Sequence, residues 1–144
     1  MAVSRRKLMI IAGLVVGMAS FFFLLADSAL SYSDNARFCL NCHVMDEAYL
    51  SLQHSNHKQF KCTECHAPHD AYLKKASFKT RSGLRDLYAT TLGEVPDVIA
   101  ATQESRGIIQ ENCIRCHSST VENTPMGDGR KCTDCHRTVA HRRI

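Results

Sequence analysis

The 144-residue chain has no tryptophan, and alternation of apolar with polar residues is sparse. The second absence excludes a domain built on sheets. The first, in a chain of this length, leaves too little apolar bulk for a large core. There is no strong excess of charge either. The formal net charge is +4, and Arg5, Arg6 and Lys7 supply three of the four, leaving one for all the rest. The basic pI therefore reports a terminal cluster and scattered surface Lys and Arg, and gives no case for nucleic acid as a partner. Nor is any cysteine left over. The eight fall into four pairs, Cys39/Cys42, Cys62/Cys65, Cys113/Cys116 and Cys132/Cys135. Each pair is followed at once by a histidine: His43, His66, His117 and His136.

Cys-x-x-Cys-His is the attachment pattern of haem c. Two thiols at this spacing reach the two vinyl groups on one edge of a porphyrin, and the next residue sits under the ring, where an imidazole can bind the iron. A zinc site accounts for paired cysteines but not for a histidine after all four pairs. A thioredoxin-like pair occurs once, near a strand and helix. A disulfide framework gives no reason for identical local triplets. The motifs thus predict four covalent haems. Small scaffolds need staples, and here the porphyrins become the core, so the haem-free chain is expected to be largely disordered.

Residues 8–26, LMIIAGLVVGMASFFFLLA, are 19 residues without a charge. At 1.5 Å per residue they span roughly 28 Å, close to the ~30 Å hydrocarbon core of a bilayer. The basic residues 1–7 precede the run, which predicts a cytoplasmic N-terminus. Residues 27–144 then form a periplasmic haem domain, in the compartment where covalent haem attachment normally occurs. A cleaved signal peptide is the alternative, with Ala26-Asp27-Ser28 as a weak cleavage site, but its apolar region usually runs only about 7–15 residues. Ser4-Arg5-Arg6 has the look of a twin-arginine signal. That route carries folded proteins, whereas haem is attached to an unfolded chain after export.

The motifs begin at 39, 62, 113 and 132, two close pairs with a longer interval between them, as a duplicated two-haem unit with an insert would give. Ala48, Tyr49 and Leu52 predict a helix over 46–56. Leu73, Phe78, Leu84, Leu87, Tyr88 and Leu92 predict another over 71–92, stopped by Gly93. A third is expected to start near Pro96 and to run through Val98, Ile99, Ile108 and Ile109 to Cys113. Residues 118–130, with Pro125, Gly127 and Gly129, read as a loop. The expected fold is mainly α: one transmembrane helix and a small helix-and-loop haem domain with little or no sheet.

Four haems take up to eight axial ligands. Besides the four motif histidines the chain has four others, His54, His57, His69 and His141. Met45, two residues past His43, is close enough to contest the first iron or to pack on the porphyrin. His69, three residues after His66, does not easily reach the far face of the same haem.

The anchor, the four motifs, Cys-x-x-Cys-His-x-Met at the first and the Ala67-Pro68-His69 continuation of the second together resemble the NapC/NirT family of membrane-bound quinol dehydrogenases. Within it the short chain is most similar to the small subunit of cytochrome c nitrite reductase. The resemblance implies an inner-membrane protein that oxidises menaquinol. Electrons pass to a periplasmic multihaem reductase, here the nitrite reductase catalytic subunit. It implies that Met45 binds the first iron with His43 displaced, and that the other face of that haem is open. Asp86 matches an acidic residue beside that face, and Lys79 a basic residue of the quinol pocket. His57 and His141 are implied as distal ligands for the haems held by His136 and His117. His66 binds the second haem, whose sixth ligand comes from a partner subunit. His54 and His69 are left without a role. Lys79 and Asp86 are two helical turns apart and so share a face, where a carboxylate can take a proton from quinol. Without the resemblance the same pair reads as a solvated amphipathic face, with Arg81 and Arg85 beside it. The competing functions are a quinol-oxidising hub for another reductase (nitrate, trimethylamine oxide or metal) and, from a different class, a reductase of a small substrate at the open haem. Against the latter, the chain has no second domain with which to build a pocket.

Overall fold

The computed structural model describes residues 4–125 and 129–141. Those residues contain helices and turns and no strand: α1 (Arg5–Tyr32), α2 (Ala36–Cys39), a 3-10 turn (His43–Met45), α3 (Asp46–Gln53), α4 (Cys62–His66), α5 (Tyr72–Leu92), α6 (Gln103–Val121) and α7 (Cys132–Cys135). The chain divides into two compact units, Met1–Ser33 and Asp34–Ile144.

The first unit is α1. None of its residues is buried, and Leu8 through Leu25 show apolar side chains all round, as a helix meant for lipid does. It is the one helix among the described residues long and apolar enough to cross a membrane. Its 28 residues extend about 42 Å, longer than the apolar run. Residues 27–32 contain no glycine or proline to end the helix, so it continues past Ala26 until Ser33, whose hydroxyl donates to the Leu30 carbonyl.

In the second unit each local element has a local cause. Asn35 caps α2 by accepting from the Arg37 amide at 3.1 Å. α3 begins as foreseen at Asp46 but stops at Gln53, short of Asn56. α4 ends at Ala67, which is extended (φ −119°, ψ 148°) because the residue before a proline is pushed out of the helical region. α5 starts one residue inside its expected span. It ends on Gly93 at φ 70°, with Glu94 N–H donating to the Ala89 carbonyl, the left-handed close that glycine allows at little cost.

α6 departs from expectation at both ends. Residues 94–102 are not helical, so Pro96 opens no helix. The start is instead at Thr102, whose hydroxyl caps Ser105 N–H, with Glu104 in the first turn; this is the stronger nucleation signal. At the other end α6 runs straight through the third motif to Val121, taking in residues 118–121 that read as loop. No glycine or proline intervenes before Pro125. Gly127 lies outside the described residues. Gly129 takes φ 74°.

α6 is the hub of the unit. Asn112, buried in it, donates to the carbonyls of Cys65 (3.0 Å) and Ala67 (2.8 Å) at the end of α4. Arg115 donates to the Glu64 carbonyl and carboxylate, both at 3.2 Å, and to Asn112. Gln110 accepts from the Cys132 amide at 2.8 Å and so clasps the start of α7. Replacing Asn112 with leucine strands two buried carbonyls. In the haem-loaded protein this is expected to cost about 2–4 kcal/mol, read as a lowered midpoint in denaturant. An unmoved midpoint removes Asn112 from this role.

Candidate functional site

The four motifs occupy unlike settings. The first straddles α2 and the 3-10 turn, the second and fourth are short helices, and the third lies within a 19-residue helix. Cys42 sets the first motif apart. Cys65, Cys116 and Cys135 are helical, whereas the half-buried Cys42 takes extended backbone (φ −102°, ψ 112°) and heads the 3-10 turn. Its N–H donates to the Cys39 carbonyl at 3.3 Å, and its carbonyl accepts from Met45 N–H at 2.9 Å. The chain therefore breaks out of the helix at Cys42 and turns again at once. That break swings His43 outward and brings Met45 round, which no triplet spacing could announce.

A duplicated unit is accordingly not visible in secondary structure, although the pairing of motifs is visible in space. The Cys39 thiol is held down to about 7 mainly by its hydrogen bond with Cys62, which is pushed up in turn. Burial, and then Cys132, push Cys113 up to about 11. Burial and the charge of Cys116 raise Cys65. Motif one thus touches motif two, motif three touches motif four, and the second and third stand within electrostatic reach. None of the eight cysteines is in a disulfide, which sets the disulfide framework aside.

The histidines sort by environment. His66, His117 and His136 each keep an exposed edge. Atoms crowded round the rest of the His66 ring, and then the nearby His141, hold its imidazole below the usual range, in the neutral form that binds a metal. His43 is 98% exposed, with its Nδ1 on the Asp46 carboxylate, whereas Met45 in the same turn is half-buried. His57 stands 6.3 Å from His117 between ring centroids, and His141 stands 6.0 Å from His66. These neighbours differ from the pairs that the resemblance implied, His57 with His136 and His141 with His117. His141 Nδ1 donates to the Ala48 carbonyl at 3.0 Å. That bond leaves Nε2 for a metal and orients the ring, the usual outer-sphere arrangement for a ligating histidine. His57 Nδ1 is buried with no hydrogen-bond partner among the described residues. His69 Nε2 is taken up by the Thr63 carbonyl at 3.1 Å, and His54 Nδ1 by the Leu50 carbonyl in its own helix.

These features fit covalent haem. The buried apolar residues among those described are few: Leu52, Ala67, Pro68 and Ile108. Large apolar side chains inside or beside the motifs, Phe38 and Ile114, stay over 40% exposed. The motif thiols are half-buried or exposed, and the motif imidazoles are exposed. A chain shaped round flat apolar macrocycles has this character, and one shaped round its own core does not.

Beside the first motif lies a charged cluster. Asp34 accepts from Lys79 Nζ at 2.6 Å and from Lys75 Nζ at 2.8 Å. Burial works against its charge, but the two lysine hydrogen bonds win and hold its carboxyl below the usual range. Lys79 also helps lower the Cys39 thiol, so its ammonium lies near the first attachment site. Asp86 is exposed on α5, two turns and about 10.5 Å further along the axis. Lys79 and Asp86 therefore share a helix, as the sequence led one to expect, but Lys79's carboxylate partner is Asp34. No local periodicity links residues 45 apart, and nothing in the sequence pattern marked Asp34.

Residues 2–106 match the model of the NapC/NirT cytochrome c family, N-terminal region. The chain belongs to this family. It is 39% identical over 131 residues to the cytochrome c nitrite reductase subunit NrfH of Nitratidesulfovibrio vulgaris, covering 90% of this chain and 79% of that one. It is 33% identical to the cytochrome c-type protein NrfH of Wolinella succinogenes, covering 98% and 90%. It also resembles NapC of Escherichia coli at 23% identity. Among solved structures it is similar to a chain of the cytochrome c nitrite reductase NrfHA complex bound to the HQNO inhibitor. The TM-score is 0.79 at 34% identity, with 94% of this chain and 92% of that one covered. As a cytochrome c of the NapC/NirT family the protein carries covalently bound haem c.

Proposed function

We propose that this protein is a membrane-anchored tetrahaem cytochrome c that oxidises menaquinol and delivers the electrons to a periplasmic cytochrome c nitrite reductase. The observation that carries this reading is its match to NrfH chains over nearly the full length of both partners. Residues 1–7 remain cytoplasmic, α1 crosses the inner membrane over 8–26, and 27–144 form the periplasmic haem domain.

Each of the four cysteine pairs holds one haem through thioethers. His66, His117 and His136 bind iron from the motifs, and Met45 takes that place at the first, consistent with a half-buried Met45 and a solvent-turned His43. His57 and His141 would supply further imidazoles to the irons. His57 lies 6.3 Å from His117 and His141 lies 6.0 Å from His66 between ring centroids, close enough for each pair to hold one metal group jointly. A further ligand would come from the partner subunit. The haems supply one-electron carriers near one another. Lys79 donates a hydrogen bond to a quinol oxygen and favours the developing negative charge there. Asp86 accepts a proton at its carboxylate as quinol gives up two electrons and two protons.

The test is purification from membranes in detergent, with a haem count, identification of what co-purifies, and oxidation of a menaquinol analogue. Four haems per chain, a co-purifying nitrite reductase and quinol-dependent nitrite reduction are expected. Co-purification with a different reductase changes the partner, and nitrite turnover by the isolated subunit changes the class of function.

A further inference from the structure

We propose that Asp34 is a positioning residue of the quinol site, fixing the Lys79 ammonium beside the first haem-attachment motif. This rests on the reading of Lys79 as a quinol-site residue. Asp34 lies within the short link between α1 and α2 and reaches α5, from which Lys75 and Lys79 converge on it. Each carboxylate oxygen takes a different lysine: Oδ1 takes Lys79 at 2.6 Å and Oδ2 takes Lys75 at 2.8 Å. The three side chains are 17%, 11% and 26% exposed, for Asp34, Lys79 and Lys75 in turn.

Lysines four apart on one helix face repel each other unless an acid stands between them. Asp34 removes that repulsion and does more. Because its two oxygens are committed to two lysines, it cannot follow one without releasing the other, so the fork is stiff. Lysine is a compact charge on a flexible four-carbon stem. A charge-assisted bond from a partner fixed on another segment removes that flexibility before any ligand arrives. Asp34 touches no substrate in this scheme. It acts through Lys79 on binding and orientation, and Lys75 serves as the second tether of the fork.

The experiment uses the full chain in its detergent-solubilised complex with the reductase. With D34N, KM for a menaquinol analogue is expected to rise about tenfold, and HQNO binding, followed by direct titration, to weaken by a similar factor, while kcat falls far less. Reoxidation by the reductase after dithionite reduction, which bypasses quinol, stays as in wild type. D34E keeps the charge but displaces it by one methylene, and a severalfold rise in the same two constants is expected. Lys75→Met frees one Asp34 oxygen but keeps the Lys79 bond, so both constants are expected to rise by clearly less than in D34N. Wild-type constants in D34N and D34E overturn the proposal while leaving the quinol reading intact. Equal shifts in D34N and Lys75→Met also overturn it, because Asp34 is then a general tether. A wild-type complex that neither oxidises quinol nor binds HQNO removes the underlying reading and this proposal together.

Discussion

Produced without its haems, the 34–144 unit is expected to show no cooperative unfolding transition, weak helical ellipticity and little protection from amide exchange. The measurement compares haem-loaded protein with a chain whose eight motif cysteines are alanine. The loss expected is the whole of the folded state, because few apolar residues are buried by protein: Leu52, Ala67, Pro68 and Ile108. Elsewhere in the unit Leu84, Leu87, Tyr88, Leu92, Val98 and Ile99 all remain more than half exposed. That burial cannot offset the conformational entropy of ordering the unit. The polar clasps of α6 on α4 and α7 depend on desolvated geometry that the apolar core alone does not set up. α2, α4 and α7, with four or five residues each, are far below the length at which an isolated helix persists in water. α5 and α6 are longer, and a residual helical signal from them is compatible with the expectation. A sharp, reversible transition in the cysteine-free chain contradicts it.

What was legible in the sequence was whatever has a short-range signature. The attachment motifs are fixed triplets. The apolar run of residues 8–26 is a matter of length. α5 announced itself by the spacing of Leu73, Phe78, Leu84 and Leu92 and by the glycine after it. The start of α6 differs from expectation because Pro96 and the β-branched residues after it are weak helix signals, whereas the Thr102 hydroxyl caps the Ser105 amide. The serines and threonines after His117 read as loop although no residue among 118–121 obliges the helix to stop. The extended break at Cys42 was hidden too, because the triplet fixes which residues meet a haem but not the backbone that carries them. What could not be read at all were the long-range polar contacts. Asn112 meets Ala67, Arg115 meets Glu64 and Asp34 meets Lys79 across 45, 51 and 45 residues. None of these pairs has a periodicity, and each is fixed only when helices are brought together. The candidate site shows the same division. Lys79 and Asp86 are marked by the family resemblance and share one helix, while the acid that holds Lys79 is marked by neither resemblance nor spacing.

Asp86→Asn is expected to lower kcat for menaquinol oxidation by roughly 10²–10⁴, the range for losing a positioned general base, with KM little changed and the haem absorption spectrum intact. The substitution keeps the size and most of the polarity of the side chain but removes its capacity to take a proton near neutral pH. Quinol cannot surrender both electrons without losing both protons, so a missing acceptor obstructs the oxidation itself and leaves binding largely alone. Lys79 donates to Asp34 at 2.6 Å, and an ammonium offers donors and no acceptor. Under the proposed function, Lys79 would stabilise charge on the quinol oxygen, and Asp86, exposed two turns along α5, would take the proton and return it to water. Reduction by dithionite followed by transfer to the reductase should be normal in Asp86→Asn, since that route needs no proton acceptor at the quinol site. A variant that oxidises quinol within about twofold of the wild-type rate removes Asp86 from the proton path. One in which the dithionite route fails as well places the defect in the haem domain at large.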